Sequence, residues 1–542
     1  MKSLTPLSFL IVFMSLNWDL TAQQPQIMWW YDVDDSGFGQ AAAADVDMDD
    51  TLEIVFSTYR NDGQAHCLNA EDGSVHWIYD MEGCGDVAPT IYDLEGDDTL
   101  DVIIPGSCNP TTFAINGYTG ALNWSTPMRG SDSPPVVANL DADPEMEIIH
   151  GEFNGYVLCL NPDGSQAWEL AVDLNSWIQT APIVMDVNGD SVQEFIVANW
   201  SFGTDHRIFC FRSDTRDTLW TSSLPEDVMY HGASYADLDM DGKNEIVIGS
   251  YDGTAYCLNA EDGSLAWEFS LGNAFFVSAP TSIGDIDADG LLDVIIIDAW
   301  TVVCLSHLGQ MKWSYSIPDF GQSFRGVALS DMNGDDTLDV VFGTSKGEVI
   351  SLHGPDGTEQ WSVDLAAHMG DTFDIDHGPV IADFDLDGSL DVFVVGGHTK
   401  FPDIEGNYGR AYAISVGEGS GPDWPMFRRD INRQACVCPD TSMSTGGVTS
   451  FENGASLKHY PNPVHDQLTF TLRLDKPSEV LLEILDLSGK NIALLTDKTY
   501  SPGLHKLSLN RSELPVPLPA GTYIAHLRVN GVRIAYTKIV ME

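Results

Sequence analysis

An acidic loop returns eight times along the chain, starting at Asp45, Asp93, Asn139, Asp186, Asp237, Asp285, Asp331 and Asp383, at intervals of 46 to 52 residues. A unit of that length cannot bury an apolar face alone, so eight in register predict one stacked or closed array. The copy from Ala236 to Ser270 reads ADLDMDGKNEIVIGSYDGTAYCLNAEDGSLAWEFS. A short apolar run enters the loop and Glu245-Ile246-Val247-Ile248-Gly249 leaves it. Asp252-Gly253 and Asp262-Gly263 then turn the chain into two further runs. Asp-Gly pairs between short β-branched runs are hairpin signals, and their density excludes a helical solenoid. Four strands per copy predict an all-β chain whose residues 23–435 form an eight-bladed β-propeller.

Seven copies carry a tryptophan in the fourth run, at Trp77, Trp124, Trp168, Trp220, Trp267, Trp313 and Trp361. The eighth copy departs, because its next tryptophan, Trp424, comes too late. Met28-Trp29-Trp30-Tyr31 stands 15 to 16 residues before Asp45, the spacing of Trp77 to Asp93. The N-terminal run is therefore expected to supply the last blade's fourth strand and hide both open edges. The tryptophans read as packing between blades. Cys67, Cys159, Cys210, Cys257 and Cys304 share one place in the third run and read as core thiols. Cys84 and Cys108 flank the second loop, and whether they pair is left open.

The loops carry the only chemistry that repeats. Oxygen-bearing side chains stand at positions 1, 3, 5 and 9: Asp45/Asp47/Asp49/Glu53, Asp93/Glu95/Asp97/Asp101, Asn139/Asp141/Asp143/Glu147, Asp186/Asn188/Asp190/Glu194, Asp237/Asp239/Asp241/Glu245, Asp285/Asp287/Asp289/Asp293, Asp331/Asn333/Asp335/Asp339 and Asp383/Asp385/Asp387/Asp391. Carboxylates crowded this closely repel one another unless a hard cation shares them, and flexible all-oxygen ligation suits Ca2+. All four side chains of each loop are therefore expected to be metal ligands. Position 6 calls for a residue that tolerates positive φ, which Gly242, Gly290 and Gly388 do freely, Asp50, Asp98 and Asp336 do at a cost, and Pro144 cannot. The loops at Asp237, Asp285 and Asp383 are thus expected to fill first and the one at Asn139 last.

The chain's formal net charge is -56, and 43% of its residues are hydrophobic, so a large core is available but nucleic acid would be repelled. Residues 451–542 carry ten basic and nine acidic side chains, which leaves the acidity in the repeats. The change marks a boundary. Residues 436–456, rich in Ser, Thr and Gly, read as a linker to a small β-sandwich over 457–542. At the other end, Lys2, an apolar run from Leu7 to Leu16 and Ala22 make residues 1–22 a secretory signal peptide, and no run is long enough to span a bilayer.

The acidic loops resemble the integrin-type FG-GAP and VCBS repeats, which hold calcium between blade strands. Segments such as Asn69-Ala70-Glu71-Asp72-Gly73-Ser74-Val75-His76-Trp77 also look like the repeats of quinoprotein dehydrogenases, although no adjacent Cys-Cys pair or quinone site stands out. Tyr460-Pro461-Asn462-Pro463, Leu485-Asp486-Leu487-Ser488-Gly489-Lys490, Leu518-Pro519-Ala520-Gly521-Thr522-Tyr523 and Lys538-Ile539-Val540 resemble the C-terminal sorting domain of type IX secretion systems. The resemblance implies export by that machinery to the cell surface or beyond. The expected function is a calcium-binding, non-enzymatic module that takes a glycan or protein ligand. The alternative is a calcium-dependent, lyase-like polysaccharide enzyme. Aromatic residues Phe38, Trp177, Tyr230, Phe275, Phe276, Phe324 and Phe373, seven to ten residues before the loops, are expected to rim the channel mouth. His368, Asp371, Asp374, Asp376 and His377 cluster before the eighth loop as a candidate second metal or acid–base site. Cys436 and Cys438 lie at the linker without supporting histidine spacing.

Overall fold

The computed structural model describes residues 25–437, apart from 98, 142, 144, 273–275, 278, 279, 401–403, 418, 420 and 432, together with the strands of the C-terminal region. The signal segment 1–22, Cys438, Phe275, Asp98 and Pro144 lie outside the described residues. The chain divides into two compact units, Met1–Val437 and Cys438–Glu542.

The first unit holds eight antiparallel sheets of four repeat strands, one per repeat. In the first repeat the strands are Ala42–Ala44, Glu53–Ser57, Gln64–Asn69 and Val75–Asp80. The short first strand is fully buried and the fourth alternates between exposed and more buried positions, as inner and outer strands of a ring should. First strands of neighbouring repeats meet: Ala42–Ala44 touches both Thr90–Tyr92 of the second repeat and Val380–Ala382 of the eighth. The eighth sheet takes its outer strand from Gln26–Val33, paired with Tyr408–Gly417 so that Trp30 faces Tyr412.

Six of the tryptophans fasten their sheet to the next. The Trp77 indole Nε1 donates to the Gly117 carbonyl at 2.6 Å, Trp124 to Pro162, Trp220 to Ala260, Trp267 to His307 and Trp313 to Gly354, and Trp29 does the same to Ala70. The ring lies against a glycine of that turn. A Cβ on Gly120, which has φ +68°, would sit 2.7 Å from Trp77. In the fourth repeat Arg216 replaces the glycine at φ 61° and its guanidinium lies 5.8 Å from the Trp168 ring. The five free cysteines are buried, and each pairs in register with a tryptophan, as Cys67 does with Trp77. Cys84 and Cys108 form a disulfide, and Cys436 is disulfide-bonded as well.

Residues 421–437 depart from the repeat because they thread the axis. Gly421–Trp424 pairs antiparallel with Ala328–Asp331 and Cys436–Val437 pairs parallel with Ser234–Ala236; Cys436 and Val437 are thus part of the ring rather than of the linker expected from 436. Between them the Arg428 guanidinium donates to the carbonyls of Ala233 and Pro182, and that of Arg433 to those of Pro89, Ala41 and Phe427. Both arginines are at most 1% exposed. Burial depresses them, Arg428 to about 10 and Arg433 to about 9, which leaves both charged near neutrality. Arg428, Arg429, Arg433 and Ala435 all have positive φ, a strained turn held by what surrounds it.

The second unit contains two four-stranded antiparallel sheets, one with Gln467–Leu474 and Gly503–Asn510, the other with Ser478–Leu485, Gly521–Val529 and Val532–Met541. Phe470, Val480, Leu482, Ile484, Ala525 and Leu527 are buried there. No helix among the described residues is long and apolar enough to cross a membrane.

Candidate functional site: the acidic loops and the axial ring

Each loop joins the first and second strands of its sheet and is shaped by its own carboxylates. The position 1 aspartate accepts backbone N–H groups from further round the loop, as Asp237 does from Gly242 at 3.0 Å and Asp383 from Asp387 and Gly388. The position 9 acid is buried and turns back to the N–H of position 2: Glu53 to Val46 at 2.9 Å, Glu245 to Leu238 at 2.8 Å, Asp391 to Phe384 at 2.9 Å. Position 6 has positive φ at Asp50, Ser191, Gly242, Gly290, Asp336 and Gly388. Position 4 does too, at Gly96, Gly189 and Gly334 but also at Met48, Met240, Ala288 and Leu386, a second demand that the sequence pattern did not reveal.

Five loops bring three carboxylates to within 4.8 Å of one another: Asp45/Asp47/Glu53, Asp141/Asp143/Glu147, Asp237/Asp239/Glu245, Asp285/Asp287/Asp289 and Asp383/Asp385/Asp391. The fourth expected side chain of each loop, Asp49, Asn139, Asp241, Asp293 or Asp387, lies outside these groups. Asp241 accepts the N–H of Lys243 on its Oδ1 at 2.9 Å and lies outside the group of Asp237, Asp239 and Glu245. Asp49 and Asp387 do the same at position 5 of their loops, Asp49 accepting from Thr51 at 2.9 Å and Asp387 from Ser389 at 2.7 Å. A position 5 aspartate closes an Asx-type turn two residues on, as Asp143 and Asp289 do within their groups, so the turn orients the carboxylate without deciding whether it joins.

Asp47 Oδ1, Asp237 Oδ1 and Asp287 Oδ1 are buried without a hydrogen-bond partner. Burial, with neighbouring carboxylates adding to it, pushes Glu53 up to about 8 and Glu147, Glu245 and Asp391 to about 7. Such acids hold a proton where a hard cation would otherwise sit, so this donor set fits calcium. Asn139 donates its amide N–H groups to the carbonyls of Asp143 and Glu145, and its remaining oxygen is neutral where the other loops place an aspartate carboxylate in the same position.

Other loops carry their own donors. Lys312 Nζ lies 2.6 Å from Asp287 and 2.8 Å from Asp293, placing an ammonium between two expected ligands of the Asp285 loop and drawing Asp293 out of its group. The ammonium is a competitor for any cation at that loop, which Gly290 alone does not reveal. Arg212 reaches Asp190 at 2.6 Å, Asn123 donates to Asp101 and Gln360 to Asp339. The loops at Asp93, Asp186 and Asp331, with Glu95, Asp97, Asn188, Glu194, Asn333 and Asp335, do not form a three-carboxylate group among the described residues.

A second constellation lies on the axis. Residues six or seven positions before successive loops converge there: Asp86, Asp132, Gln179, Tyr230, His231, Arg325, Asp376 and His377, with Gln40 from the first repeat. Asp86 accepts from Ser107 at 2.9 Å, and Gln179 Nε2 donates to Asp132 at 2.8 Å. Arg325 donates to Asp376 at 3.3 Å and to His231 Nε2 at 2.8 Å, and its guanidinium lies 5.6 Å from the Tyr230 ring centre. Burial, then the mutual repulsion of the two carboxylates, pushes Asp86 up to about 7. The His231 ring meets Phe427 of the axial segment edge-on at 6.0 Å, so that segment floors the ring.

The cluster expected around 368–377 is split. His368 faces Tyr412 and Trp30, and Asp371 is exposed, whereas Asp376 and His377 belong to the axial ring. Of the expected aromatic rim, Phe373 and Phe276 are buried, and Phe38, Trp177, Tyr230 and Phe324 are half-buried. Trp177 packs edge-on against Phe202, which is 60% exposed.

The family model described as outer membrane protein assembly factor BamB matches residues 28–199 and 204–426. The chain belongs to this family. A second model, described as a secretion system C-terminal sorting domain, matches residues 458–542. The assignment to FG-GAP and VCBS repeats is thereby corrected, since BamB-family propellers are of a different type. The physical reason is that a short Asp- and Gly-rich loop is a general solution for a tight strand connection, whereas the tryptophan latch onto the next repeat's turn recurs at six of the sheets. Among solved structures, Sqt1 of Saccharomyces cerevisiae is similar at TM-score 0.52 and 14% identity, covering 73% of this chain and 100% of that one. The quinohemoprotein alcohol dehydrogenase of Pseudomonas putida is similar at 0.50 and 14%, covering 79% and 80%. That of Comamonas testosteroni is similar at 0.50 and 12%, covering 74% and 77%. These likenesses concern the fold. No curated protein matches the chain.

Proposed function

We propose that the BamB-family ring is a calcium-stabilised, non-enzymatic binding module that presents its channel mouth to a glycan or protein outside the cell. The sorting domain directs export through type IX secretion to the cell surface or extracellular space. The observation that carries the calcium reading is the orphaned, buried carboxylate oxygen in the loops of Asp47 and Asp237, because an unpaired buried acceptor is costly and a shared cation satisfies it. The half-buried Phe38, Trp177, Tyr230 and Phe324 at the mouth offer ring faces to a ligand. A lyase acting on acidic polysaccharide fits less well, since Asp86, Asp132 and Asp376 outnumber Arg325 in the axial ring. The test is thermal unfolding of the mature chain with calcium and with chelator, followed by a glycan and protein array on the calcium-loaded form. A melt unmoved by chelator removes the calcium reading, and release of unsaturated or reducing ends from array hits removes the non-enzymatic one.

A further inference from the structure

At the axis, three acceptors at one register position on adjacent repeats lack partners: Asp86 Oδ1, Asp132 Oδ1 and Gln179 Oε1. The Gln179 side chain is 4% exposed and is held by its own amide on Asp132, so its carbonyl is fixed beside the acids. From the first and eighth repeats, Gln40 Nε2 and both ring nitrogens of His377 are likewise unpartnered in side chains 2% exposed. Unpaired buried polar groups are rare in native proteins, and a group of them contributed by five repeats marks a place for something polar.

The chemistry of that something is set by the arrangement. Three converging acceptors match the three N–H donors of a primary ammonium. In the ring itself three carboxylates stand against one guanidinium. That local excess of negative charge favours a positively charged group on the ligand. Gln40 Nε2 donates, and neutral His377 either donates or accepts, so they suit an oxygen on the same ligand.

We infer that the axial ring is a binding site for a small hydroxylated amine, an amino sugar with a free ammonium, whose nitrogen is held by Asp86, Asp132 and Gln179 and whose hydroxyls meet Gln40 and His377. The inference rests on the reading of the ring as a binding module and names what its axis takes.

Isothermal titration of the calcium-loaded full chain with glucosamine tests it, with N-acetylglucosamine, glucose and cadaverine as comparators. Glucosamine is expected to bind saturably. Removing the charge or the hydroxyls should weaken binding roughly tenfold or more, since each charge-assisted hydrogen bond contributes about 1.5–3 kcal/mol. Asp132→Asn and Gln179→Ala should each weaken glucosamine while leaving the calcium-dependent melt unchanged, which shows that the variants fold. No saturable glucosamine binding, equal binding of N-acetylglucosamine, or displacement of glucosamine by further calcium chloride overturns the inference. Array ligands that bind Asp132→Asn as well as the unaltered chain would leave the binding module standing while this site fails.

Discussion

The guanidinium of Arg433 donates at 2.9 Å to the carbonyl of Ala41, 392 residues earlier in the chain. It also reaches Pro89 and Phe427, so one fully buried side chain ties the axial segment to the first two repeats. Arg433→Ala strands these carbonyls and should cost roughly 3–5 kcal/mol in denaturant unfolding of the ring. Arg433→Lys keeps the charge but cannot span the carbonyls as a planar fork does, and should recover only part of the loss.

Gly120 and Gly96 have nearly the same φ, +68° and +70°, but only Gly120 has a neighbour where a Cβ would go, Trp77 at 2.7 Å. Gly96→Ala therefore carries the backbone penalty alone, about 1 kcal/mol. Gly120→Ala should lower the melting temperature distinctly further, because the tryptophan must leave its seat on the next sheet. Equal shifts in the two variants would refute the latch.

Lys312 acts as the resident cation of the Asp285 loop. Lys312→Met should destabilise the calcium-free ring by about 1–3 kcal/mol, as Asp293 is left buried and unpaired. It should also raise calcium stoichiometry by one in titration calorimetry. An unchanged stoichiometry would mean that calcium displaces the ammonium in the unaltered chain.

Burial holds His150 down to about 4, with Nε2 on Thr112 and Nδ1 on the Gly151 carbonyl. The unfolded chain takes up this proton near 6.5 and the folded one resists it. The histidine's contribution is therefore complete above about 6.5 and lost as the pH falls toward about 4, by up to about 3 kcal/mol. Comparison of urea midpoints at about pH 7 and about pH 4.5 should show a smaller acid loss for His150→Gln than for the unaltered chain.

Deleting residues 457–542 should leave folding and the calcium response of the ring intact while stopping passage across the outer membrane, read as retained protein in cell fractions. Normal secretion of the truncated chain would sink the export assignment.

The strands and turns were legible because Gly, Asp and β-branched residues recur at fixed offsets, and so was the role of Trp29, whose spacing to Asp45 copies that of Trp77 to Asp93. The axial segment was not. Arg428 and Arg433 follow no period, and a charged side chain that buries itself on backbone carbonyls looks in sequence like a surface residue. Lys312 escaped notice for a related reason: it stands 27 positions after Asp285, and only the return of the fourth strand brings it to the loop. The positive φ at Met48, Met240, Ala288 and Leu386 falls on residues that give no sign of it. The loop oxygens, by contrast, could be assigned to their loops one by one, because the pattern that places them is local. Which of them converge could not: Asp239 and Asp241 look equivalent in the pattern and each accepts the N–H two residues on, yet only Asp239 stands with Asp237 and Glu245.

Seven of the eight sheets take their repeat strands from continuous chain, but the last joins Gln26–Val33 to Tyr408–Gly417. The outer strand with Trp29 is made first and has to wait for nearly four hundred residues before its partner exists. The ring thus has a fixed order in time. Its sheets can form in succession, while the seam, and with it the seat of the axial segment, is sealed only at the end. Until then the ring is an open arc whose terminal strand lacks its partner.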